Sequence, residues 1–194
     1  MYFYFRLILV EAFTNMKLII LALTVPLLLD SAKAASITFS PFASITTQEI
    51  ILSQSNWQQF YSKAGNFTVS LPGKPIEESE TYDDGSVANN FTVVDKETVY
   101  LVTYADVVEV GNQVDPIETF DAVCEGYTAD GDTIINKQEI ELNGHPGRLV
   151  EFKTTDGAVG KASIYLVKNR LYQLILISPN KEEGKQFFDS FKIK

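Results

Sequence analysis

The chain has 194 residues, with 16 Lys and Arg against 25 Asp and Glu, one His and one Cys. That length fits one domain with short appendages, and a hydrophobic content of 45% supplies enough apolar surface for a core. A net charge of −9 argues against nucleic acid and anionic lipid as partners, and one Cys with one His makes neither an internal disulfide nor a His/Cys zinc site.

The first segment reads as an address. Lys17 is a positive start, residues 18–29 are apolar, and Ala32-Lys33-Ala34 has the small-x-small pattern of a signal-peptidase site. Cleavage is expected between Ala34 and Ala35, with translation starting at Met16. Twelve residues of helix reach about 18 Å, short of the roughly 30 Å hydrocarbon core, so no transmembrane anchor is expected in the mature form. No Cys follows the apolar run, which excludes a lipoprotein anchor. Residues 1–34 are therefore read as a signal peptide. Removing them takes away three basic and two acidic residues, leaving 160 residues at a net charge of −10.

Residues 35–56 are rich in Ser, Thr and Gln with Glu49 as their one charge, and read as a flexible arm. A folded domain is expected over 57–194, beginning with short strands. Phe67-Thr68-Val69-Ser70-Leu71 alternates and stops at Pro72-Gly73. Strands over 76–82 and 87–94 flank the turn Asp83-Asp84-Gly85-Ser86. The strand over 98–107 has Val99, Leu101 and Ala105 on one face and Tyr100, Val102 and Tyr104 on the other. It should lie centrally, covered on both sides.

A helix then starts with Asp115 as N-cap, Pro116 at N1 and Glu118 at N3, and Ile117, Phe120, Cys124 and Tyr127 form an apolar stripe. The second half reads as an antiparallel meander over 133–142, 148–155, 159–167 and 171–178. Its last strand is apolar at nearly every position and therefore central. Asn180 and Glu183 cap a final helix whose Phe187, Phe188 and Phe191 return to the sheet. Helices on both faces of an antiparallel sheet predict an α+β fold, an α/β/α sandwich.

Chemistry is sparse. No nucleophile elbow, phosphate loop or His-Glu-x-x-His occurs, so no catalytic, cofactor or metal residue is assigned. His145 stands in the turn Gly144-His145-Pro146-Gly147 and is a solvated candidate for ligand contact. Arg148, at the following strand start, pairs with an acidic neighbour or stays exposed. Asp130 and Asp132 open a stretch that ends in Glu141, as a calcium loop would, but Ile134 and Ile135 replace an oxygen ligand and the required Gly. Glu77, Glu78, Glu80, Asp83 and Asp84 read as the charged face of an edge strand. Cys124 reads as a buried small hydrophobe with no cation beside it. The binding candidates are thus His145, Arg148, Asp130 and Asp132.

The segment Leu142-Asn143-Gly144-His145-Pro146-Gly147-Arg148, followed by Ile164-Tyr165-Leu166-Val167-Lys168-Asn169-Arg170-Leu171-Tyr172-Gln173-Leu174, resembles the short PsbP-like proteins of cyanobacteria and other bacteria. The opening Phe67-Thr68-Val69-Ser70-Leu71-Pro72-Gly73-Lys74-Pro75 and the closing Phe187-Phe188-Asp189-Ser190-Phe191-Lys192 are similar to the ends of that family. The resemblance implies an α/β/α sandwich and a role as an extrinsic or assembly partner of a membrane complex, photosystem II being the best-known case. Together with the signal segment, the expectation is an exported, non-enzymatic monomer of the periplasm or thylakoid lumen. No metal ligand of the family maps onto this sequence, so none is carried over. The alternative is a periplasmic small-ligand or metal-binding protein. Fold alone does not decide between them.

Overall fold

The computed structural model describes residues 57–82, 85–107, 114–129, 131–179 and 184–194. The expected signal segment with Ala34 and Ala35, the arm over 35–56, the turn residues Asp83 and Asp84, Asp130, and the capping residues Asn180 and Glu183 lie outside them.

Strands β1 (Gln58–Ser62), β2 (Phe67–Leu71), β3 (Ile76–Thr81), β4 (Val87–Asp95) and β5 (Thr98–Asp106) come first. Helix α1 (Pro116–Ala129) follows. Then come β6 (Thr133–Leu142), β7 (His145–Lys153), β8 (Val159–Val167) and β9 (Arg170–Ser178), a short helix α2 (Lys185–Ser190) and β10 (Lys192–Ile193). The strands form a seven-stranded antiparallel sheet in the order β3-β4-β5-β9-β8-β7-β6 and a three-stranded sheet in the order β1-β2-β10.

Two apolar cores lie on opposite faces of the large sheet. The period of two in β5 divides its residues as expected. Val99 and Leu101 join Phe120, Val123, Cys124 and Tyr127 of α1 in one core. Tyr100, Val102 and Tyr104 join Phe67, Phe187 and Phe191 in the other. β9, buried along nearly its whole length, occupies the middle of the sheet.

The α+β sandwich stands, with one difference in its second layer. That face is covered by the β1-β2-β10 sheet together with α2, which is only six residues long. Phe67 explains why strands take the place of a long helix. Its ring is fully buried and meets Phe60, Phe91, Tyr104, Tyr172 and Phe191, so β2 itself supplies the apolar cover.

In α1, Asp115 Oδ1 accepts from the amides of Ile117 (2.8 Å) and Glu118 (3.4 Å), as an N-cap does. Ile117 leaves the predicted stripe and is 63% exposed, because burial begins two residues later at Thr119 and Phe120. Val123 takes its place in the core.

Candidate functional site

The β6–β7 hairpin turns on two residues, Asn143 and Gly144, with φ of 53° and 82°. Both sit in the left-handed region, where Asn is tolerated and Gly is unstrained. Pairing therefore resumes at Leu142 opposite His145, and Glu139 falls opposite Arg148. His145 is accordingly the half-buried first residue of β7, which corrects its expected place in the turn. Arg148 lies inside β7, not at its start.

Arg148 is the centre of a polar cluster that joins three elements. Its Nε donates to Glu139 Oε1 at 2.8 Å and its Nη1 to Asp121 Oδ1 at 2.5 Å, so one guanidinium joins β7, β6 and α1. The guanidinium carbon also lies 5.5 Å from the centre of the Phe120 ring. The arginine side chain is 7% exposed, against 54% for Asp121 and 67% for Glu139. Burial works against its charge, while hydrogen bonds to Asp121, Glu139 and Cys124 hold the proton and raise its pKa on balance. Burial pushes the Cys124 thiol up, opposed by a hydrogen bond from Arg148 and the nearby charge of Lys137. Cys124 is buried as expected, but a cation does stand beside it. Glu139, Cys124 and Asp121 are 9, 24 and 27 residues from Arg148 in sequence, so helix and hairpin must both form before they meet.

A second arginine fastens the opposite face. Arg170 grips Asp106 with two bonds, Nε to Oδ1 at 2.6 Å and Nη2 to Oδ2 at 2.7 Å, and its Nη1 donates to the Ala64 carbonyl at 2.8 Å. It lies 4.9 Å over the Tyr104 ring, and the Tyr172 hydroxyl donates to the Gly65 carbonyl at 2.8 Å. The β1–β2 turn is thereby tied to β5 and β9. Hydrogen bonding to Arg170 holds Asp106 below the usual carboxylate range.

Neither Asp132 nor His145 joins these clusters. Asp132 is buried, and its Oδ1 accepts from the Thr155 amide at 3.2 Å, fastening the start of β6 to the β7–β8 turn. His145 and Arg148 are three residues apart on one strand and so point to opposite faces. Among the described residues, no group of three or more His, Cys, Asp or Glu could hold a metal ion. No helix there is long and apolar enough to cross a membrane. Glu139, Asp121, Asp106 and Arg170 are absent from the sequence candidates. The first was readable, since Glu139 and Arg148 are equidistant from the Asn143–Gly144 turn, whereas Asp106 and Arg170 meet only through the pairing of β5 with β9.

No protein-family model and no curated protein matches the sequence. Among solved structures, the chain is similar to the solution structure of cyanobacterial PsbP (CyanoP) from Synechocystis sp. PCC 6803. That match has 12% identity and a TM-score of 0.49, and covers 80% of this chain and 100% of that one. A likeness of this degree assigns neither family nor function.

Proposed function

We propose that this is a non-catalytic, exported PsbP-like module that binds a protein partner, acting as an extrinsic or assembly factor of a photosynthetic membrane complex. The observation that carries the reading is how the strongest polar groups are used. Arg148 ties α1 to β6 and β7, and Arg170 ties the β1–β2 turn to β5 and β9, so their charge is spent on joining layers. The two edges of the large sheet present exposed carboxylates, Glu77 and Glu78 on β3 and Glu139 and Glu141 on β6, which suit an interface. The sequence resemblance supports the same reading, because the motifs that carry it lie on β2, the β6–β7 and β8–β9 hairpins, and α2.

The test is to express the full chain with an affinity tag at its C-terminus and solubilise the membranes of the exporting cell. Stoichiometric co-purification with one membrane complex, and an intact mass beginning at Ala35, are expected. A protein recovered alone, or one that keeps residues before Ala35, overturns the corresponding part of the proposal.

A further inference from the structure

The large sheet ends in two edges that differ in chemistry. β3 is six residues long and carries carboxylates on both faces, with Glu78 and Glu80 on the α1 side and Glu77 on the other. β6 is ten residues long, seven of them exposed, and it separates its chemistry by face. Lys137, Glu139 and Glu141 stand opposite Val150, Arg148 and Pro146 on the α1 side. Gln138, Ile140 and Leu142 lie on the reverse, where Leu142 packs against the second core and Ile140 is half-buried.

The acidic side continues onto the helix. Phe120 meets Arg148 and Tyr127 stacks on Phe152, so α1 runs antiparallel to β6. Glu118, Asp121 and Glu125 are exposed at i, i+3 and i+7 and form one stripe, and Asp121 shares Arg148 with Glu139. Five carboxylates thus flank this edge, against Lys137 and the buried Arg148.

The backbone points the same way. The two-residue turn makes Leu142 and His145 the closing hydrogen-bonded pair, and alternation then directs the amides and carbonyls of Glu141, Glu139 and Lys137 away from β7. The irregularity between Ile134 and Asn136 ends this run, leaving residues 136–142, about 23 Å of strand.

We propose that the β6 edge receives an extended segment of the protein partner as an added strand, basic on the side of Glu139, Glu141 and Asp121 and apolar over Ile140 and Leu142. The inference rests on the partner-binding reading and names its surface. Charge selects the occupant. A second copy would set five carboxylates against five, whereas a basic strand neutralises them.

The probes are two nine-residue peptides, one alternating Lys and Val and one alternating Glu and Val, added to the full chain. The Lys peptide is expected to slow amide exchange at Lys137, Glu139 and Glu141 by about tenfold or more, and the Glu peptide to leave it unchanged. Lys137→Pro removes an outward donor while sparing the bonds to β7, and should abolish that protection with the melting temperature nearly retained. Glu141→Lys leaves the backbone intact and should weaken binding and flatten its salt dependence. Equal binding of both peptides, or protection at β3 instead, overturns the inference. Protection that exists without peptide and rises with chain concentration assigns the edge to a second copy, and overturns it too. Wild-type levels of co-purification by both variants would remove the edge proposal and keep the partner, whereas wild-type chain that recovers no complex removes the partner reading itself.

Discussion

Arg148 permits a sharp test because its charge cannot be removed by protonation chemistry, while its partners stand largely in water. Replacing Asp121 and Glu139 together by Ala leaves a guanidinium that is 7% exposed with no compensating carboxylate. Stranding one member of a buried pair costs about 3–5 kcal/mol. Here the arginine is held by half-exposed carboxylates and can extend toward solvent, so about 2–4 kcal/mol is expected. Arg148→Met removes the buried charge instead and keeps an apolar stem over Phe120. The abandoned carboxylates are 54% and 67% exposed and rehydrate cheaply, so the cost should stay within about 1 kcal/mol. Arg148→Met should then rescue the Asp121→Ala/Glu139→Ala chain by about 2 kcal/mol in the triple variant. Urea unfolding at neutral pH, with unchanged slope and shifted midpoint, reads all four proteins. A loss in Arg148→Met as large as that of the double variant, or strict additivity in the triple, would refute the reasoning.

Other outcomes follow from the same packing. Asp106 has a folded pKa lowered by Arg170, so its contribution to stability is present above the unfolded carboxylate value of about 3.9 and is lost as pH falls through the folded value; Asp106→Asn should flatten that acid limb in a stability–pH profile. A Cβ on Gly160 would stand 2.2 Å from the Phe152 ring, which is stacked between it and Tyr127, and Gly160→Ala should cost about 1–3 kcal/mol in thermal or urea unfolding. Burial raises the Cys124 thiol, so less thiolate is present near neutral pH, and alkylation by iodoacetamide should be slow in the folded chain and fast in denaturant, as mass spectrometry over time would show.

How much of this was legible varies with the range of the interaction. Strand boundaries rest on local alternation and on turn residues, which is why Thr133–Leu142 and Val159–Val167 have the expected limits. The two-sided apolar pattern of Thr98–Asp106 likewise revealed its central place. The second layer was harder. Three phenylalanines near the C-terminus suggested a covering helix, yet α2 is six residues long, and Phe67 of β2 buries as much ring surface as any of them. Nothing local announces that β1, β2 and β10 pair, because β10 lies more than 120 residues from β2. The sites divide the same way. Glu139 and Arg148 are joined by one hairpin and could be paired by counting from its turn, whereas Asp121 depends on how α1 lies across the sheet. Pro146 and Gly147 look like turn residues and draw His145 into the expected turn, although the turn is complete at Gly144.

The two arginines also change how the net charge should be understood. Each is less exposed than its carboxylate partners, 7% for Arg148 and 27% for Arg170 against 54–67% for Asp121, Glu139 and Asp106, so the anions reach solvent more than the cations do. The surface around these two arginines is therefore more acidic than the composition alone conveys. Both edges of the large sheet share this acidity, and on β3 it is distributed over both faces, which opposes any added strand with an apolar side. On β6 the carboxylates are confined to one side and the other remains apolar. Charge that protects one edge becomes, on the other, a criterion for which strand is admitted.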